Sequence, residues 1–141
     1  MRIIDNMRIE ILILAAGNSS RMGGINKLLK TTNSLRLVEL VINEAKKSIA
    51  DQISIVIPPE KSDLWGFLDN YSIHQLRKDD TKHGIGHSIA CGIEAIKERH
   101  PDGVIILLAD MPEIKANHLN IMIRNFFDNS KRQIIRATSS S

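Results

Sequence analysis

Apolar runs of strand length alternate along the chain with segments whose apolar residues fall at helical spacing. Residues 8–14 (RIEILIL) read as one continuous apolar strand of the kind covered on both faces. In residues 34–49, Leu35, Val38, Ile42, Ala45 and Ile49 recur at helical spacing. Lys46 and Lys47 stand near the C-terminal end, where the helix dipole favours cations. The run ISIVIP (53–58) predicts a second buried strand, closed by Pro58 and Pro59. Residues 60–69 predict a short helix, and SIHQL (72–76) a weaker third strand. A polar, glycine-containing loop follows from Arg77 to Gly86. Helical spacing returns over 88–99 through Ile89, Ile93 and Ile96. GVIILLAD (103–110) predicts a fourth strand, 115–127 a helix, and RQIIRA (132–137) a fifth strand running into TSSS.

Strand and helix alternate throughout, which predicts an α/β domain: a mostly parallel sheet with helices on both faces. Neither internal repeats nor a linker divide the chain, so residues 1–141 read as one domain. Met7-Arg8-Ile9 repeats Met1-Arg2-Ile3, so Met7 is a second candidate start and residues 1–7 read as an N-terminal extension. Ligands of open parallel sheets bind outside the C-terminal ends of the strands. Two candidate sites sit there: the loop after Leu14, and Asp110 after the fourth strand.

Composition narrows the function classes. Nineteen basic and sixteen acidic residues give a net charge of +3, with no dense basic block. That argues against a nucleic-acid partner and suits an anionic small molecule. Cys91 is the one cysteine, so an intrachain disulfide is excluded and a reducing, cytoplasmic setting is expected. Cys91 lies in a predicted helix and reads as packing rather than as a nucleophile. No apolar run approaches the ~20 residues of a membrane helix. ILILAAG is short enough for a signal sequence, but Asp5 and Glu10 lie where a signal is positive.

The loop after the first strand carries the candidate chemistry. Ala15, Ala16 and Gly17 leave little side-chain bulk, so backbone N–H groups there can approach a phosphate. Arg21 offers a planar fork for phosphate oxygens and Lys27 a mobile point charge. Open backbone donors beside two cations suit a triphosphate. The loop is neither a Walker loop nor a G-x-G-x-x-G turn, and glycines alone would leave it an ordinary loop with solvated cations.

The stretch LAAGNSSRMGGINKLL (14–29) resembles the signature L-A-A-G-x-S-x-R-M-G-x-x-N-K-L-L. That signature belongs to the molybdenum cofactor cytidylyltransferase branch of the MobA-like nucleotidyltransferases. Every specified position is filled, including Leu14, Ser19, Met22, Gly23, Asn26, Leu28 and Leu29. GIGHSIACGIEAI (84–96) is similar to the family's glycine-serine loop and following helix. DGVIILLADMPEI (102–114) is similar to its apolar strand ending in L-A-D-x-P. The resemblance covers about residues 8–138 and implies a three-layer, Rossmann-like nucleotidyltransferase fold.

The resemblance also implies a reaction and its residues. An acceptor phosphate attacks the α-phosphorus of a nucleoside triphosphate, and pyrophosphate leaves. Arg21 and Lys27 would hold the β- and γ-phosphates, and Asp110 would bind Mg²⁺. Leu14, Ala15, Ala16, Gly17 and Ser19 would contact the nucleotide. Gly84, Gly86 and Ser88 would shape a loop around base and ribose. Ser88 reads equally as a cap of the next helix, Asn26 as an orienting group or a plain turn residue, and Asp110 also fits a helix cap or turn. His83 and His87 are four apart. The glycines between them argue against a helix and so against an i, i+4 metal pair; they read as exposed loop histidines. Trp65 and Phe67 are expected to cover the sheet edge or core, and Met111 to be core.

Guanylyl relatives typically read L-A-G-G with Asp-Lys later, and isoprenoid and sugar nucleotidyltransferases carry Pro-Lys. Ala15-Ala16-Gly17 with Asn26-Lys27 resembles the cytidylyl branch, implying CTP and a molybdopterin acceptor. The family continues past the fifth strand with an R-G-x-P-like segment, another strand and a later acidic position. IIRATSSS ends where that segment would begin. The expectation is therefore a C-terminally truncated domain, residues 138–141 being its truncated end, with apolar surface that a partner chain would cover. A non-catalytic nucleotide- or partner-binding remnant is the competing class, and a sugar-phosphate or guanylyl transferase a third. Lys27→Ala is expected to weaken triphosphate binding by roughly tenfold or more, the worth of a charged hydrogen bond. Monophosphate binding should change less; calorimetric titration of both checks this, and equal losses would move Lys27 away from the β- and γ-phosphates.

Overall fold

The computed structural model describes residues 7–15, 31–32, 35–57, 63–77, 84–129 and 134–136. Five strands build the main sheet: β1 (Ile9–Leu14), β4 (Gln52–Ile57), β5 (His74–Arg77), β6 (Gly103–Leu108) and β7 (Ile134–Arg136). Their order is β5-β4-β1-β6-β7, and every pairing is parallel. The first strand in sequence is thus central. Two further strands, β2 (Thr31–Thr32) and β3 (Leu35–Arg36), form a small antiparallel ribbon that the hydrophobic pattern did not predict. Two-residue strands leave no periodicity to read.

Alternate residues of β1 face two separate cores. Ile9, Ile11, Ile13 and Ala15 pack with α1 (Leu37–Lys47) and α3 (Ala116–Asn129). Leu12 and Leu14 pack on the other face with α2 (Gly84–Ile96), through Ile89, Ile93 and Ile96. This is the expected three-layer arrangement. In α1, Val38, Val41, Ile42 and Ala45 form the buried stripe. Its start is fixed by Glu39, whose Oε1 accepts the Arg36 N–H at 3.0 Å, the reach-back arm of a capping box. At its end, the Ser48 hydroxyl donates to the Ala45 carbonyl at 2.6 Å. No described helix is long and apolar enough to cross a membrane.

The predicted helix at 60–69 is a 3₁₀ helix over Asp63–Asn70. Leu68 is fully buried there, and Phe67 packs edge-on against Tyr71 with Arg36 4.4 Å above its ring. The Tyr71 hydroxyl donates to Glu39 Oε2 at 2.7 Å. Burial and this carboxylate push the Tyr71 pKa up to about 12. The side chain of Trp65 lies outside the described residues. Met111 is buried, as expected.

Two expectations need correction. The chain from Arg77 does not stay a loop to Gly86: α2 begins at Gly84, so His87 is helical. Glycine disfavours a helix interior by only about 1 kcal/mol, and packing of α2 on β4 and β1 outweighs it. Gly92 is needed for that packing, because a Cβ there would stand 2.5 Å from Leu12 Cδ2. Nor is β1 continuously apolar. Glu10 is fully buried on the α2 face, where Arg99 donates Nε to Oε2 at 2.9 Å and Nη2 to Oε1 at 2.6 Å. Arg99 Nη2 also donates to the buried Ser54 hydroxyl at 3.1 Å. The fork geometry of arginine makes this burial tolerable. Arg99→Met is expected to destabilise the chain by about 3 kcal/mol, because a buried carboxylate then lacks its partner. Chemical denaturation checks this; Glu10→Leu with Arg99→Met should recover most of the loss.

Candidate active site

The sheet topology creates a switch point at its C-terminal edge. From β1 the chain proceeds to β4 on one side, and from β6 to β7 on the other. Between strands whose connections diverge, a crevice opens that parallel sheets use for ligands. The register places Leu14 of β1 opposite both Val56 and Leu108. Beyond it, the Ala15 N–H donates to the Val56 carbonyl at 2.9 Å and the Ala109 N–H to the Leu14 carbonyl at 3.1 Å. Ala15 and the Ala109–Asp110 step therefore flank the crevice mouth. Since the Ala15 N–H is committed to the sheet, backbone donors for an anion begin only after it. Ala16, Gly17, Ser19, Arg21, Asn26 and Lys27 lie outside the described residues.

Asp110 stands on a short, well-tethered loop. The Met111 N–H donates to the Leu108 carbonyl at 3.3 Å and the Ile114 N–H to the Met111 carbonyl at 3.2 Å, giving two successive turns. Met111 anchors the middle by burial, and Ile114 packs against the α1/α3 core. At the far end, the Lys115 N–H donates to His118 Nδ1 at 2.9 Å and the Ala116 N–H to Glu44 Oε1 at 2.8 Å. The Asp110 carboxylate is exposed and makes no hydrogen bond or ion pair to another described residue. It does not cap the following helix, which starts at Ala116, but it does stand in the turn before Met111-Pro112, one of the two alternatives the sequence left open.

The α2 start lies on the same edge, because the chain leaves β5 at its C-terminal end and must return to the N-terminal end of β6. Gly84, Gly86 and Ser88 thus belong to the first turns of a helix, not to a loop. Ser88 is fully buried inside α2, four residues past its first, so it does not cap the helix. Gly86 is exposed, and a Cβ there would meet nothing within 4 Å. Packing does not require that glycine. Cys91 lies partly buried in α2 and is not disulfide-bonded. A separate groove of about 380 Å³, lined by Ile93, Lys97, His100 and Val104 among others, opens at the opposite edge, far along α2 from this site.

Residues 11–141 match the MobA-like NTP transferase domain. The chain belongs to this family. It is similar to the purine catabolism protein PucB of Bacillus subtilis, 32% identical over 121 residues, which are 79% of this chain and 58% of that protein. A nucleotidyl transferase from Methanothermobacter superposes with a TM-score of 0.71 at 18% identity, covering 83% of this chain and 57% of its own. CMP:2-keto-3-deoxy-manno-octonic acid synthetase, solved with CTP, superposes with a TM-score of 0.70 at 16% identity, covering 87% and 48%. At these identities the superpositions establish the nucleotidyltransferase fold. The chain spans a little over half the length of PucB.

In this MobA-like domain, Asp110 is the described group best fitted to a divalent cation. A lone exposed carboxylate suits Mg²⁺, which keeps several waters and completes its sphere with substrate phosphates. No group of three His, Cys, Asp or Glu side chains gathers among the described residues, so a cage made by protein alone is absent from them. The sequence pattern missed Glu44, whose partner is 72 residues away. Its surroundings, a carboxylate between Ala45 and Asn43 on a helix, give no signal of that role. Asp110→Ala is expected to remove Mg²⁺-dependent nucleotide binding while changing stability by less than ~0.5 kcal/mol, as for exposed side chains without partners. Calorimetry with and without Mg²⁺, beside a thermal melt, checks both; a variant that still responds to Mg²⁺ refutes the metal role.

Proposed function

We propose that this domain transfers CMP from CTP to the phosphate of a molybdopterin-type acceptor, releasing pyrophosphate. One observation carries the reading: the filled signature 14–29 begins at the end of β1, where Leu14 pairs with Leu108 two residues before the exposed Asp110. An acceptor phosphate oxygen forms a bond to the α-phosphorus of CTP as the bond to the bridging oxygen of pyrophosphate breaks. Arg21 and Lys27 hold the β- and γ-phosphates and balance the charge that builds on the leaving group. Backbone N–H groups of Ala16 and Gly17 face the nucleotide, and Ser19 adds a hydroxyl. The bare backbone at Gly86, with Gly84 nearby, allows base and ribose to approach the first turn of α2. Asp110 would hold a divalent cation such as Mg²⁺, which would supply charge neutralisation for the phosphates.

The choice of CTP rests on Ala15-Ala16-Gly17 with Asn26-Lys27 and is supported by the CTP bound in a structure of the same fold. The alternative reading is a nucleotide-binding domain of this family without turnover. Calorimetric titration with CTP and GTP, each with and without Mg²⁺, separates these. Mg²⁺-dependent binding that favours CTP by tenfold or more, about 1.4 kcal/mol, is expected. A preference for GTP overturns the base assignment. Pyrophosphate release with CTP and molybdopterin then distinguishes the transferase from the binding domain, and release with a sugar phosphate instead reassigns the acceptor.

A further inference from the structure

Glu44 lies on α1, on the opposite side of the site from the Asp110 loop in sequence. Its Oε1 accepts the N–H of Ala116, the first residue of α3, at 2.8 Å. The first N–H groups of a helix have no partner within it, and a carboxylate there also meets the positive end of the helix dipole. This N–H holds the Glu44 carboxyl below its ordinary pKa, against the effect of burial and with help from Lys47 and Lys115. Glu44 Oε2 is 3.4 Å from Lys47 Nζ.

The consequence concerns the loop. Residues 109–115 are fixed at the sheet end by the Ala109 and Met111 hydrogen bonds, and in the middle by burial of Met111. At the helix end, His118 satisfies Lys115 from within the same turn, and so moves with it. Beside the packing of Ile114 on the core, Glu44 is the hydrogen-bonding tether there from another part of the fold. The Asp110 carboxylate has no side-chain partner among the described residues, so its position depends on the backbone beneath it.

We infer that Glu44 is a positioning residue: its cap on α3 fixes the helix end of the Asp110 loop and so sets where the Asp110 carboxylate stands. The inference rests on the proposed metal role of Asp110. It also gives α1 a second duty. Glu44 thereby joins the helix that follows β3 to the helix that follows the Asp110 loop.

Asn120 provides the control. Its Oδ1 accepts the Ile49 N–H at 2.8 Å, which ties the connection between α1 and β4 to α3, one helical turn beyond Ala116. The test compares wild type, Glu44→Ala, Glu44→Gln and Asn120→Ala by amide hydrogen exchange and by calorimetry with CTP, with and without Mg²⁺. Loss of a helix cap should speed exchange over 109–119 by about fivefold or more in Glu44→Ala, and weaken Mg²⁺-dependent CTP binding by a similar factor. Mg²⁺-free binding should not move. Glu44→Gln, which keeps an acceptor oxygen, should restore both, and Asn120→Ala should disturb neither. Unchanged exchange in Glu44→Ala, no rescue by glutamine, or an equal effect from Asn120→Ala overturns the positioning role. A wild-type chain that binds CTP equally with and without Mg²⁺ overturns the metal reading of Asp110, and the positioning role with it. Exchange would still show whether Glu44 caps α3.

Discussion

The central strand β1 is held from both sides before its ladders begin. Asp51, just ahead of β4, donates its N–H to the Ile9 carbonyl at 2.8 Å, and its Oδ2 accepts the Ile9 N–H at 2.7 Å. Asp102, just ahead of β6, repeats the device on Arg8 at 2.7 and 2.8 Å. Two carboxylates thus close the start of β1 against its two neighbours. In a parallel sheet buried on both faces, a slip of one residue would exchange the two cores. With the register pinned at one end, the other end is determined: Leu14 meets Val56 and Leu108, and the next residues form the crevice mouth. The site depends on this register, because the sheet ladders are what bring Ala15 and the Ala109–Asp110 step to the same edge.

The α2 layer is placed by two opposite means. Near its middle, Gly92 lets the helix approach Leu12 without a side chain between them. At its end, Arg99 reaches Glu10 and Ser54 across the sheet. Glu10 sits inside a layer of Leu12, Leu14 and Val56, where a charge is costly unless fully met. The fork of Arg99 meets both its oxygens, and the attraction raises the arginine's own pKa. The pair fixes the direction of α2 as well as its distance. Its first turn, with the exposed Gly86, is then carried to the C-terminal edge of the sheet.

Much of the fold was legible in the sequence, because the strands at 8–14, 53–58 and 103–110 are dense apolar runs and the intervening helices show their stripes. What failed did so where local pattern and distant contact disagree. Gly84 and Gly86 discourage a helix locally, yet α2 gains its stability from Leu12, Val56 and Ile106 beneath it. Glu10 was read within a continuous apolar strand, and only the structure shows that Arg99 meets its buried charge. Within the site, the location of Asp110 followed from its place after a buried strand, while the commitment of the Ala15 N–H to Val56 required the sheet itself. Residues 16–30 entered through their motif, and their chemistry is read from residue type and from the strand they follow.

The arrangement also explains why so much of the tethering is backbone. In the proposed metal role, a carboxylate that ligates a hydrated cation cannot be tied by its own oxygens without losing them as ligands. Its position then has to come from the chain carrying it, within the small tolerance that catalytic geometry allows. In this domain that chain is fastened to β1 at Ala109, to the core at Met111 and Ile114, and to α1 through Glu44. The exposed oxygens of Asp110 and the Glu44 Oε1 bound to the Ala116 N–H are complementary: one carboxylate is left open while an oxygen of the other holds the backbone.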